Sequence, residues 1–425
     1  MPVAHGQTVI VGGGYVGLFA ALTLDREGYD RPMLLIDRNP RFNSTPLLYE
    51  LLSGEMDLSQ VGPRYEALLA RRRVAFVQDS VSAIDLATRT VHLRSGLRYE
   101  YERLVLGVGS TTAYFGIEGA CEHALRFRTT EDALNLARHL RGALQQASQT
   151  EDTHLRQALL TVLVVGAGPS GVELAATLGD LLPSWYAPLG GNVRELRVVL
   201  INRAPQILNG DINVGLRTQA EAALKARTIP VETVLEATVE ALGPDWLRYR
   251  RHGERGLLDA ATIVWTAGIA TNPLVQTLPV PPALRDRHDR LVVTETLQLP
   301  ALPEVFVGGD CAAEPEPLPP TAQVALQQGV GIAHNLLALA EGREPRPITV
   351  HLRGSLLKLG VGEAAANLFD RVQLTGTLGH LVREFTYLGL LPTPAHNFKA
   401  TVDWLTDEVF QYFCNGTSVQ PTPGK

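Results

Sequence analysis

Two copies of one local pattern constrain this chain most: a short apolar strand, the spacing Gly-x-Gly-x-x-Gly, then a helix-forming run. In the first copy Thr8–Val11 leads into Gly12, Gly14 and Gly17; in the second Thr161–Val165 leads into Gly166, Gly168 and Gly171. The first glycine permits a tight turn, the second lets a pyrophosphate approach the backbone, and the third brings helix and strand close together. The helix N-terminus then offers unpaired N–H groups and a partial positive charge to an anion. Each copy continues into a second apolar strand, Met33–Asp37 and Arg197–Ile201, completing a βαβ unit. With their first glycines 154 residues apart (12 to 166), the copies predict an α/β chain with two Rossmann-like dinucleotide-binding domains.

The two units differ at the end of the second strand. Asp37 lies 20 residues past Gly17, where a carboxylate can bond ribose hydroxyls. Asn202 takes the corresponding place in the second unit, followed by Arg203. A carboxylate would repel a 2′-phosphate, whereas Asn does not; Arg203 either pairs with such a phosphate or is a solvated loop cation. Glu173, just inside the second helix, is either an acid complementing the helix dipole or a group reaching towards a nicotinamide. Gly308-Gly309-Asp310 reads as an acidic turn after an apolar strand.

The 425 residues leave room for two or three domains, and the balance of 45% hydrophobic and 19% charged residues is that of a globular chain. A net charge of −6 gives no electrostatic case for nucleic-acid binding. Cys121, Cys311 and Cys414 form no CxxC pair, which argues against a disulfide scaffold, a metal cluster and a vicinal redox disulfide. The N-terminus has no signal-peptide pattern and no 18-residue apolar run occurs, so a cytosolic location, or the cytosolic side of a membrane, is expected. Residues 77–96 and 234–253 alternate like hairpins or meanders, 183–196 look like a surface insertion, and the Pro-rich run 315–320 marks a loop before a helix. From about residue 345 the pattern changes to a C-terminal region of Gly-punctuated strands and helices.

In combination and order, several segments resemble the two-dinucleotide-binding-domain flavoproteins, and within them the type II NAD(P)H:quinone oxidoreductases. They are GGGYVGLFAA, TPLLYELLSGE after Asp37, LVLGVGST, GAGPSGVELA, VWTAGI, VFVGGDCA and AQVALQQG, spread over roughly residues 8–335. The resemblance implies a pyridine nucleotide-disulfide reductase-like fold with an FAD domain at 1–115 and 290–344, an NAD(P)H domain at 116–289, and a membrane-associating region at 345–425. It implies FAD on Gly12, Gly14, Gly17, Asp37 and Asp310, with Thr45 and Gly109 nearby. NAD(P)H is then expected on Gly166, Gly168, Gly171, Asn202, Arg203 and Gly268, with Glu173 orienting the nicotinamide towards the flavin. Gln323 and Gln327, four residues apart and so on one helix face, form either a polar surface or, as the family pattern implies, part of a quinone pocket. TPLLYELLSGE and Asn202 are closest to a cyanobacterial and plastid subgroup associated with NADPH-dependent reduction of demethylphylloquinone and of plastoquinone-like acceptors, although a respiratory menaquinone reductase would read similarly.

A quinone with a prenyl tail calls for membrane contact without a span. Phe398, Val402, Leu405, Val409 and Tyr412 form one apolar helix stripe beside Trp404; Leu381, Val382, Phe385 and Leu388 form another before Pro392. These either lie in the membrane interface or pack on the protein's own core or on a homodimer partner. The acidic flank Asp403, Asp407 and Glu408 weakens an electrostatic attraction to lipid. The rival readings are a ferredoxin- or rubredoxin-type reductase, with a protein acceptor, and a flavin-bearing redox sensor.

Overall fold

Val9, Ile10 and Val11 are β-branched and buried on both faces, as a central parallel strand requires. The computed structural model describes residues 6–210, 213–352, 354–368 and 372–392. From this first strand (β1, Thr8–Val11) the chain passes through α1 (Tyr15–Arg26), β2 (Met33–Asp37), α2 (Leu48–Ser53), β3 (Val74–Gln78), β4 (Arg103–Leu106) and β5 (Ser110–Thr112). Next come α3 (Thr130–Gln149), β6 (Thr161–Val165), α4 (Pro169–Tyr186), β7 (Arg197–Ile201), β8 (Glu232–Val234), β9 (Thr262–Trp265) and β10 (Ile269–Thr271). The chain then returns to the first layer with β11 (Leu302–Val307) and α5 (Ala322–Ala340). Three strands, β12 (Gly354–Gly360), β13 (Glu363–Leu368) and β14 (Val372–Leu374), and helix α6 (Gly376–Gly389) follow.

The first sheet runs β11-β4-β1-β2-β3, all parallel, with the short strand Gln298–Leu299 antiparallel at its far edge. The second runs β8-β7-β6-β9, also parallel, with Leu125–Arg126 beside β9. In each sheet the first strand of a βαβ unit has neighbours on both sides, so its glycine turn opens at the switch point where such sheets bind ligands. The stretches read as meanders each contribute to a three-stranded antiparallel sheet, within Val81–Glu100 and Ala237–Asp259. The domains are bridged by β5 pairing antiparallel with β10.

Two close approaches fix the site. Helix α5 lies on α1 because Gly329 has no side chain; a Cβ there would come within 2.4 Å of the Val16 carbonyl oxygen. The three strands β12–β14 form an antiparallel sheet that α6 and α4 pack against. One local expectation changes: α4 continues through Pro183 to Tyr186, with Leu181, Leu182 and Tyr186 buried, so only residues after 186 form surface turns. On α6, Leu388 is buried, Leu381 and Val382 are half-buried, and Leu378 and Phe385 are exposed, so the stripe divides between core and solvent. The stripe at 398–412 lies outside the described residues. Among those residues no helix is long and apolar enough to cross a membrane.

Candidate active site

The two glycine turns are built alike. Gly12 and Gly166 have φ of +96° and +104°, a left-handed backbone that side chains disfavour. A Cβ on Gly17 would lie 2.0 Å from the Gly12 carbonyl oxygen, and one on Gly171 would lie 1.8 Å from that of Gly166. The protein's own packing therefore explains the first and third glycines, but not the second. Gly14 and Gly168 have ordinary φ of −69° and −73°. A Cβ on Gly14 would meet only the Gly107 oxygen, at 3.9 Å, and one on Gly168 would meet nothing within 4 Å. Each middle glycine borders open space at the N-terminus of a long helix, a cradle shaped for a phosphate.

The residues at the ends of the second strands make the same bond in both units. Asp37 Oδ2 accepts the Gly13 N–H at 2.7 Å, and Oδ1 accepts that of Asn39 at 2.7 Å. Burial pushes the Asp37 carboxyl above its usual range, opposed by these N–H donors and by Arg38. In the second unit Asn202 Oδ1 accepts the Ala167 N–H at 3.2 Å, while its Nδ2 donates to the Gln206 oxygen at 3.3 Å. The amide thus has a structural use, because a carboxylate would face the Ala204 and Gln206 carbonyls with nothing to donate. Arg203 is exposed beside it.

Asp310 is held through Ser110. Ser110 donates to its Oδ2 at 2.6 Å, and Arg128 donates to Ser110 Oγ at 2.8 Å. Burial lowers the Arg128 pKa, against the pull of Asp310 and Asp132. Neighbouring Gly309, with φ +73°, gives its N–H to Gln328 Oε1 at 2.6 Å, and Gln328 donates in turn to Glu314. Arg128, Ser110 and the buried Gln328 were not legible as site residues. Gln328 hides beside Gln327, but its side chain turns into the body of the protein.

Gln323 and Gln327 share a face of α5, and both brace the chain leaving for the C-terminal sheet. Gln323 donates to the Gly354 oxygen at 3.3 Å. Gln327 donates to the His351 oxygen at 3.1 Å and accepts the His351 N–H at 2.9 Å. Gly109 (φ +61°) and Gly268 (φ +75°) flank the interdomain β5–β10 pair, and Thr45 is exposed at the start of a 3-10 turn.

A profile of the pyridine nucleotide-disulphide oxidoreductases matches residues 6–329. A demethylphylloquinone reductase of Synechocystis is 31% identical over 98% of this chain and 100% of its own length. The chain belongs to the type II NAD(P)H:quinone oxidoreductases. A type II NADH:quinone oxidoreductase of Mycobacterium tuberculosis is 30% identical over 92% of this chain and 85% of its own. The fold matches that of NDH2 from Plasmodium falciparum, solved in complex with NADH, with a TM-score of 0.85 over 95% of this chain and 98% of that one, at 17% identity.

FAD is the cofactor of this oxidoreductase, and the first cradle fits it: Gly14 leaves room for a pyrophosphate, and Asp37, at the end of β2, has a carboxylate that would accept from ribose hydroxyls. Helix α6 reaches the segment beside that cradle, since Arg383 donates to the Pro46 oxygen at 2.8 Å. Arg383 belongs to a buried group of charges that no sequence motif announced. Its Nη1 lies 2.6 Å from Glu50 Oε1 and 3.0 Å from Glu384 Oε1, while Lys358 Nζ lies 2.9 Å from Glu50 Oε1 and also pairs with Glu55. Glu173 is here too: its Oε1 accepts the Lys358 N–H at 2.8 Å, with Arg383 at 3.5 Å. Burial pushes the Glu173 carboxyl above its usual range.

The acids of this group divide in two. Burial would raise Glu50, but Arg383 and Lys358 outweigh it and hold the carboxyl at about 2. Burial and the Glu50 charge hold Glu384 well above the usual carboxylate range. Among the described residues the Oε2 atoms of Glu50 and Glu384 have no other donor, and one proton kept on Glu384 satisfies both. Glu50 therefore contributes stability that is present above its unfolded value of 4.5 and is lost as pH falls towards 2. Glu384 has the opposite sign: its contribution is full below 4.5 and declines as pH rises above it. Glu384→Gln, which mimics the protonated acid, is expected to change stability by less than about 1 kcal/mol below pH 4.5, to be stabilising at neutral pH, where wild type has lost part of the Glu384 contribution, and to flatten the decline. Glu50→Gln should be much more damaging. Urea melts of both variants from acid to alkaline pH check the pair; equal losses at neutral pH would refute the assignment.

Proposed function

We propose that this chain oxidises NAD(P)H at the second cradle and reduces a prenylated naphthoquinone or plastoquinone near α5, working from a membrane surface without spanning it. The observation that carries this reading is the pair of middle glycines, each open to a phosphate for no reason internal to the protein. Bound FAD would accept a hydride and pass two electrons to the quinone. The chain's own residues hold and orient. Gly12–Gly17 and Asp37 keep the flavin nucleotide in place, while Asp310, bonded by Ser110 and next to the Gly309 that Gln328 fixes, meets its ribityl chain. Gly166–Gly171 receive the hydride donor. Gln323 and Gln327 border the acceptor, and a bond from Gln327 to a quinone carbonyl would require His351 to give way. The exposed Leu378 and Phe385 on α6 suit a lipid-facing side on the cytosolic leaflet.

Purified protein carrying its flavin, assayed with NADH and NADPH against naphthoquinone, benzoquinone and ferredoxin, tests the reading. Turnover with ferredoxin alone would favour the protein-acceptor alternative. For the hydride donor we infer that NADPH is accepted, since Asn202 does not repel a 2′-phosphate and Arg203 is exposed beside it to pair with one. Arg203→Ala is expected to raise KM for NADPH about tenfold and leave KM for NADH unchanged. A parallel change in both constants would remove the phosphate contact.

A further inference from the structure

Phe115 occupies a position that its residue type disfavours. Its φ is +53° and that of Gly116 is +66°, and the Ile117 N–H closes the turn onto the Tyr114 oxygen at 3.0 Å. A turn with two consecutive left-handed residues normally takes Asn or Gly, and a bulky aromatic at the first of them is strained. Packing does not compensate, because Phe115 is 68% exposed. One side of its ring does have a seat. It lies across Gly268, where a Cβ would come within 2.4 Å of Phe115 Cζ. The turn is also anchored: Trp265 Nε1 donates to the oxygens of both Ala113 and Ala267 at 2.9 Å, tying this linker to the loop after β9.

That loop belongs to the second cradle. A Cβ on Gly166 would lie 2.7 Å from Ala267 Cα, so Gly166, Ala267, Gly268 and Phe115 form one continuous wall. Strand β9 flanks β6 on the side away from β7. Asn202 and Arg203 follow β7 and stand at the adenosine end of a dinucleotide laid across the turn, so the wall after β9 borders the other end.

We propose that Phe115 is a positioning residue for the nicotinamide half of NAD(P)H, its exposed ring closing against the bound nucleotide and holding the transferring ring towards the flavin. The proposal rests on the hydride-donor reading given above. Strain retained in an exposed ring beside a ligand cradle is the pattern of a site residue rather than of a core residue.

The test uses the flavin-loaded protein with Phe115→Ala, Phe115→Tyr and Phe115→Gly. Anaerobic rapid mixing with NADPH or NADH reads flavin reduction, and quinone-driven reoxidation of dithionite-reduced enzyme reads the other half-reaction. Phe115→Ala should slow reduction or raise its half-saturation about tenfold, with flavin content and reoxidation unchanged, and Phe115→Tyr should restore it. Phe115→Gly should raise the melting temperature by relieving the turn, yet reduce as poorly as the Ala variant, a combination that a merely structural role would not produce. Normal reduction in the Ala variant overturns the proposal alone. Failure of the wild-type flavin to be reduced by either nucleotide overturns the hydride-donor reading and this proposal with it.

Discussion

Replacing Lys358 by methionine is expected to destabilise the protein by about 3–5 kcal/mol, the usual loss when one partner of a buried ion pair is removed. Lys358 is fully buried on β12, the third residue of an apolar run in SLLKLG, and its ammonium lies between Glu50 and Glu55. Methionine matches the length and apolar stem but leaves Glu50, itself fully buried, with Arg383 as its one remaining cationic partner of this group. The group joins α2, α4, β12 and α6, so the loss should fall on the docking of the C-terminal sheet rather than on either nucleotide domain. Limited proteolysis should then cut near residue 345 while the flavin stays bound. Lys358→Arg, which keeps the charge, should recover part of the loss. A methionine variant as stable and as protease-resistant as wild type would mean that the ion pairs are dispensable.

Three glycine substitutions should separate folding from ligand binding. Gly17→Ala puts a Cβ 2.0 Å from a backbone oxygen, which cannot move aside cheaply, and should yield little folded protein. Gly14→Ala has open space in the protein itself, so the fold should survive while FAD affinity falls about a hundredfold, from overpacking and lost charge-assisted hydrogen bonds. Gly168→Ala should leave the protein yellow but raise half-saturation for NAD(P)H by about as much. Flavin absorbance, circular dichroism and nucleotide titration distinguish the three. A Gly14→Ala protein that retains its flavin would contradict the role given to the first cradle.

Both cradles could be read from the sequence because strand, turn and helix follow one another within thirty residues, and steric limits on the backbone leave few residues able to make such a turn. The buried charges could not. Glu50, Glu173, Lys358 and Arg383 are brought together across as many as 333 positions, and pairing at that range leaves no local spacing. A faint signal existed: each is a charge inside an apolar run, as in LLYELL, GVELAA, SLLKLG and HLVREF, where a charge demands a partner. Glu173 shows how little a motif says of distant partners, since its carboxylate accepts the Lys358 N–H and lies near Arg383, both in the C-terminal region. The amides of Gln323 and Gln327 share a helix face as their spacing requires, yet their bonds to Gly354 and His351 depend on where the chain goes after α5.

The loop following β7 carries a lesson for anyone re-engineering this oxidoreductase to use a different hydride donor. Importing an acid at position 202 would strand a carboxylate against the carbonyls of residues 204 and 206, which now receive the Asn202 amide. The exchangeable module is therefore the pentapeptide 202–206, grafted whole from a donor protein, and selection applied to single codons there would stall on variants that have lost the loop before gaining the new preference.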